Sequence, residues 1–145
     1  KLGHHMGDII DSIKEMINRV YSFAVVDTLE YLRRSGRISH LKYQLATLLE
    51  IKPVIKIYNG VVNMEMTRTT KKAFNRLIAT MKELQPLEFV SIVHTNAIEK
   101  AEELMDVVRQ FFPDKEQLFS VDVCPAIGAH MGPNVVGFVC VTQKS

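Results

Sequence analysis

Asn59-Gly60 lies between two short apolar runs, Val54-Ile55-Lys56-Ile57-Tyr58 and Val61-Val62-Asn63-Met64-Glu65-Met66. A type I′ turn needs positive φ at both central residues, which glycine adopts freely and asparagine more readily than most residues. The dipeptide therefore predicts a tight antiparallel hairpin, and any sheet built by this chain must contain some antiparallel pairing. Four further apolar runs read as strands: Tyr21 to Val26, Phe89 to His94, Leu118 to Cys124 and Val135 to Val141. They are short and bounded by turn residues, as buried strands are. The last two flank a Gly- and Pro-bearing segment, Pro125 to Asn134, read as a connection.

Between these runs the apolar period changes from two to about 3.6. A first helix is predicted from about Gly7 to Arg19, where Ile9, Ile10, Ile13, Met16 and Ile17 form one face. Asp27 and Glu30 have the spacing of a capping box for a helix that Gly36 can end. Ser39 can cap another, with a stripe of Leu41, Leu45, Leu48 and Leu49 that suits an ordinary core and a ligand lining equally well. Thr67 to Thr70 lead into a helix bearing Ala73, Phe74, Leu77, Ile78, Met81 and Leu84, which stops before Pro86. Asn96 and Glu99 form a second capping box, ahead of Ile98, Ala101, Leu104, Met105, Val108 and Phe111. Every stripe is one-sided. The expected fold is α/β: a two-layer domain with a mixed, about six-stranded sheet and helices packed on it.

At 145 residues, 47% apolar and a formal charge of +2, the chain can bury a substantial core as one domain. Residues 1–20 read as a linker and connecting helix, and residues 21–145 as the domain. The longest apolar runs are too short for a membrane span and the N-terminus lacks a signal-peptide pattern, so a cytoplasmic protein is expected. No basic run is interleaved with aromatics, so no nucleic-acid partner is expected. Cys124 and Cys140 lie in β-like apolar runs and read as small buried side chains, and there is no CxxC pair. His4 and His5 are given no metal role, and no metal or other cofactor is expected.

Two places could carry chemistry. Asp27-Thr28-Leu29-Glu30-Tyr31-Leu32-Arg33-Arg34-Ser35-Gly36-Arg37-Ile38-Ser39 crowds three arginines at a helix end, either to handle an anion or to complement the helix dipole. Ile127-Gly128-Ala129-His130-Met131-Gly132-Pro133-Asn134 sets one imidazole among residues that let the backbone turn sharply. An imidazole can donate to a carboxylate in either charge state, which makes His130 the leading titratable candidate. His94, inside a strand, reads as structural. A self-sufficient phosphotransferase or hydrolase would have to use Asp27, Ser35 or Ser39 with His130. Against that alternative stand the lack of a P-loop, a G-x-S-x-G motif or a metal-binding carboxylate cluster.

These two segments, together with Ile51-Lys52-Pro53, the Gly60 hairpin and Arg68 followed by Lys71-Lys72-Ala73, resemble the DegV family in order and spacing from about Gly7 to Val141. The resemblance is to the C-terminal half of such proteins, whose full-length members have two α/β domains, so the N-terminal domain is absent from this chain. It implies a bacterial fatty-acid-binding carrier rather than an enzyme. A long-chain fatty acid would lie in an apolar tunnel, its carboxylate presented to a separate ATP-binding kinase subunit for acyl-phosphate formation in phospholipid metabolism. By the same resemblance, His130 bonds the fatty acid carboxylate, and Arg37 and Arg68 lie near the tunnel mouth, where they serve kinase docking or phosphoryl transfer. Ser35 and Asn134 stand where many members carry glycine. A regulatory interaction module that keeps the fold without lipid is the other alternative.

Overall fold

The computed structural model describes residues 3, 5–36, 38, 51–110, 112 and 118–144. Arg37, Ser39 and the Leu41, Leu45, Leu48 and Leu49 stripe lie outside the described residues. The described elements run α1 (Met6–Ile17), β1 (Val20–Val25), α2 (Glu30–Arg34), β2 (Lys52–Tyr58), β3 (Val61–Thr67), α3 (Thr70–Glu83), β4 (Leu87–Thr95), α4 (Ile98–Val108), β5 (Leu118–Asp122), α5 (Pro125–Met131) and β6 (Val135–Thr142). The strands form one sheet in the order β3-β2-β1-β6-β4-β5. It is an α/β fold with a mixed sheet: β4 and β5 are parallel, joined through α4, and the other neighbours are antiparallel. The hairpin forms as its dipeptide requires, with φ of 47° at Asn59 and 72° at Gly60.

Residues opposite each other in neighbouring strands share a face, so the register sorts the side chains into two sets. The row Ile92, Phe138, Phe23 points to one side, and α3 and α4 cover it. Their fully buried Ala73, Leu77 and Met81, and Ala101, Leu104 and Val108, close the main core over that row. Phe23 and Phe138 stack at 5.1 Å between centroids. Burying a side chain of that size is worth roughly 1.5–3 kcal/mol, so this layer supplies most of the driving force. The next row, Val93, Gly137, Ala24, Ile55 and Met64, points to the other side. Here a smaller cluster of Val26, Leu32, Ile38, Ile55 and Val135 caps one end of the face.

Several local expectations are corrected by longer-range contacts. Asp27 does not cap α2: the N-cap is Leu29, without a side-chain hydrogen bond, and the Glu30 N–H donates to Thr28 Oγ1 at 3.2 Å. Asn96 likewise does not cap α4. It takes a positive φ of 47°, Ala97 occupies the cap position, and the Ala97 N–H donates to His94 Nδ1 at 3.5 Å. The segment from Pro125 is a seven-residue helix, α5, with Pro125 at its N-terminus, and only its end is a turn. Cys124, expected inside, is exposed at the start of α5, whereas Cys140 is buried and its thiol is pushed up to about 12 by desolvation. We expect one fast-reacting thiol per folded chain and two after denaturation in a thiol–disulfide exchange assay. Two fast thiols in the folded protein would contradict the placement of Cys140.

α1 forms as predicted, with no buried residue and with Met6, Ile9, Ile10, Ile13 and Ile17 exposed. Arg19, just past its end, ties it to the sheet by pairing with Glu88 at 2.6 Å and donating to the Thr142 carbonyl.

Candidate functional site

One rim of the sheet collects strand ends next to most of the described segments singled out in the sequence, while the Asn59-Gly60 turn lies at the opposite end. β1 and β3 end there and β2 begins there, as the pairings Val25 with Val54 and Lys52 with Thr67 require. β4 and β5 also end there and β6 begins there, with Thr95 opposite Val135 and His94 opposite Asp122. Asp27 sits at the middle of this rim. Its carboxylate meets Lys52 Nζ at 3.0 Å and Lys100 Nζ at 3.6 Å, and Lys100 also donates to the Asn134 carbonyl at 3.2 Å. This partly buried hub ties the end of β1 to the start of β2, to α4 and to the turn before β6. It explains why Asp27 is not available to α2.

The three-arginine corner resolves differently. Arg33 and Arg34 both bridge the Glu30 carboxylate, at 2.9 and 2.6 Å, and together they hold that carboxyl below its ordinary range, Arg33 contributing first. Two of the three cations thus answer a carboxylate of their own helix rather than a ligand. Ser35 Oγ donates to the Leu32 carbonyl at 3.1 Å. With Asp27 bound by two lysines, the described contacts of these residues give no support to a nucleophile, base and acid arrangement around His130.

His130 is half-buried in the last turn of α5. The turn that follows is set by two positive-φ residues, Gly132 at 82° and Asn134 at 62°. A Cβ on Gly132 would lie 2.4 Å from Tyr31 Cδ2, so glycine is required there both for the backbone and for the ring of α2 lying against it. The two sequence segments therefore meet in space through Tyr31 and Gly132. Thr95 holds the same turn from beneath: its carbonyl accepts the Asn134 N–H at 2.8 Å, and its hydroxyl bridges Gly132 and Val135. Arg68 is exposed in the turn between β3 and α3. It shares the rim with the His130 turn, but β3 and β6 are three strands apart, roughly 14 Å. His94 is buried, its Nδ1 3.7 Å from Asp122 Oδ1, in keeping with a structural place.

The feature that sequence reasoning missed lies next to α5. An apolar groove of about 180 Å³ runs over the second face of the sheet. Ser22, Ala24 and Val139 lie along its floor, Ile55 and Ile57 bound it toward β2, and Ile127 and Met131 of α5 overhang it. Two of the floor side chains, Ser22 and Ala24, are small, and the strand beside Ala24 carries glycine where β1 approaches closely. A Cβ on that Gly137 would lie 2.0 Å from the Phe23 carbonyl oxygen. Farther along the same face Phe89, Phe119, Val121 and Val62 stand between 39% and 50% exposed. The described residues leave this face open, and an apolar surface of that extent marks a binding site or an interface. The signal available in the sequence was a period of two: Ser22 and Ala24 alternate with Tyr21, Phe23 and Val25, and Gly137 interrupts an otherwise bulky strand.

Among the described residues no helix is long and apolar enough to cross a membrane, and no three His, Cys, Asp or Glu side chains are gathered as for a metal ion.

The chain resembles solved structures throughout its length. It superposes with a TM-score of 0.83 and 31% identity on the fatty acid binding DegV family protein SAG1342 from Streptococcus agalactiae, over 98% of this chain and 51% of that one. Against the DegV family protein Cg2579 from Corynebacterium glutamicum the TM-score is 0.85 at 25% identity, over 99% of this chain and 55% of that one. Among curated sequences it is 36% identical to the DegV domain-containing protein YqaC of Lactococcus lactis, over 98% of this chain and 52% of the relative. It is 33% identical to the DegV domain-containing protein BH3627 of Halalkalibacterium halodurans, over 94% and 49%. The chain thus spans about half the length of the relatives it matches. The family model described as "Uncharacterised protein, DegV family" matches residues 1–143. A family model that matches nearly the whole chain, together with curated DegV relatives 33% and 36% identical over almost all of it, makes this chain a member of the DegV family.

Proposed function

We propose that this chain is a fatty-acid-binding unit that lays an acyl chain along the open sheet face and holds its carboxylate at the rim by His130. The observation that carries the reading is the groove: its lining is predominantly apolar, it passes under α5, and α5 carries His130 at its end. Each buried methylene contributes about 0.8 kcal/mol, so an apolar groove supplies most of the affinity and a polar contact at one end fixes the direction of the chain. The similarity to the S. agalactiae protein described as fatty acid binding supports the same ligand class. Native mass spectrometry of freshly purified protein tests it directly. A co-purifying fatty acid is expected, and a chain that neither retains nor takes up fatty acid overturns the reading.

His130→Ala should weaken binding of a fatty acid by about 2 kcal/mol, the loss of a hydrogen bond to a charged group, without unfolding the protein. Calorimetric titration with unchanged affinity would remove His130 from the head-group site.

In this proposal residues 1–20 serve as a linker and connecting helix, residues 21–145 form the lipid-binding domain, and a second domain of the kind the longer relatives contain covers the open face. The chain alone then binds fatty acid more weakly than the longer protein and does not hydrolyse ATP. The carboxylate is presented to a separate ATP-binding kinase, with Arg37 and Arg68 near the mouth as docking or transfer residues. The exposure of Arg68 on the same rim as the His130 turn supports that role. Arg68→Ala should lower acyl-phosphate formation by the kinase several-fold, about what loss of one close charge pair costs, and leave fatty acid affinity unchanged. Wild-type phosphorylation across a range of kinase concentrations would exclude Arg68 from that role.

A further inference from the structure

We infer that Thr95 is the positioning residue that couples the acyl groove to the head-group turn, an assignment that rests on the fatty-acid reading above. The side chain has two ends with two environments. Thr95 helps to line the groove, and its Cγ2 stands 3.8 Å from where a Cβ on Gly128 of α5 would be. Its hydroxyl donates to the Gly132 carbonyl at 2.6 Å and accepts the Val135 N–H at 3.1 Å. Its own carbonyl accepts the Asn134 N–H at 2.8 Å. One buried residue at the end of β4 thus grips both ends of the turn that follows His130, while it also helps to line the ligand path.

The chemistry of that grip is specific to a hydroxyl. A hydroxyl can donate to a carbonyl and accept from an N–H at once, and a turn closed on a single oxygen is fixed in rotation as well as position. Valine has the same shape and would preserve the groove, yet it would leave a buried N–H and a buried C=O without their partner. Serine keeps both hydrogen bonds and removes only the methyl. The two substitutions therefore separate positioning of the head group from packing of the chain. Thr95 is not itself a contact for the carboxylate in this proposal. It acts through the turn that sets where His130 ends.

The test compares hexadecanoic acid with hexadecan-1-ol, which share a chain and differ in the charged head, on wild type, Thr95→Val and Thr95→Ser. Wild type should prefer the acid. Thr95→Val should lose about tenfold in acid affinity, in line with removal of a buried hydrogen-bond pair, and hold the alcohol within about twofold. Thr95→Ser should keep the acid preference and lose about threefold on both ligands, as removal of one methyl would. Amide exchange read without ligand should show the Val135 N–H about tenfold faster in Thr95→Val and unchanged in Thr95→Ser. Equal losses on acid and alcohol in Thr95→Val, a retained acid preference there, or a lost preference in Thr95→Ser each overturn the assignment. A wild type with no preference for the acid instead overturns the head-group reading, and the Thr95 role in ligand positioning falls with it.

Discussion

Ser22→Leu weakens binding of long-chain fatty acids by about two orders of magnitude while leaving the fold intact. Ser22 is half-buried in the middle of β1, on the floor of the apolar groove and opposite both Ile57 and Val139. A leucine there stands up into the space that the chain would occupy, so the acyl segment beyond that point loses its burial. Four displaced methylenes are worth about 3 kcal/mol, on the order of a 200-fold loss of affinity. Among the described residues Ser22 borders an unfilled groove, so the larger side chain has space to enter and the melting temperature should stay within a few degrees. Acyl chains too short to pass Ser22 should bind the variant as they bind wild type. The measurement is a titration series with acids of increasing length against both proteins. A uniform loss at every length would mean that the substitution distorts the site rather than shortening it, and an unchanged series would place the acyl chain elsewhere.

The residues behind that prediction were not legible as a site, and the reason is physical. Asn59-Gly60 specifies its turn through the backbone preferences of two adjacent residues, and the apolar stripes of α3 and α4 specify burial through spacing within one helix. Such signals are local and were read correctly. The groove depends on register between strands that are distant in sequence: Ser22 meets Val139, and Ala24 meets Gly137. Nothing near Ser22 in the sequence states which residues will stand beside it across the ladder. Asp27 failed for the same reason. Its local context is that of a helix cap, but Lys52 and Lys100 offer its carboxylate charged partners once the sheet has formed, and a cap interaction worth about 1 kcal/mol is displaced. α5 was missed because Gly128 lowers helix preference, although Pro125 at its first position is a favourable start. The turn at Gly132 was legible, because Gly132-Pro133-Asn134 is a run of turn-forming residues, and two of the three take positive φ.

Gly132→Ala destabilises the protein by about 3 kcal/mol, through two separable causes. The backbone at Gly132 has φ 82° and ψ 177°, a conformation that costs an L-residue about 1–3 kcal/mol. A Cβ in that conformation also falls 2.4, 2.8 and 2.9 Å from three atoms of the Tyr31 ring, so the ring must leave its seat against the turn. For a chain of this size the sum lowers the melting temperature by roughly 10 °C. The partners can be taken apart with a double-mutant cycle. Tyr31→Ala removes the ring and with it the steric cause, so adding Gly132→Ala on that background should cost only the backbone share, about 1–2 kcal/mol. The coupling between the two positions then has a definite sign: the double variant is more stable than the sum of the single losses predicts. Thermal or denaturant unfolding of the four proteins reads it. Strict additivity would mean that Tyr31 does not lie on Gly132 in solution. The contact that joins the α2 segment to the His130 turn would then be absent, and the two motifs would not meet through these residues.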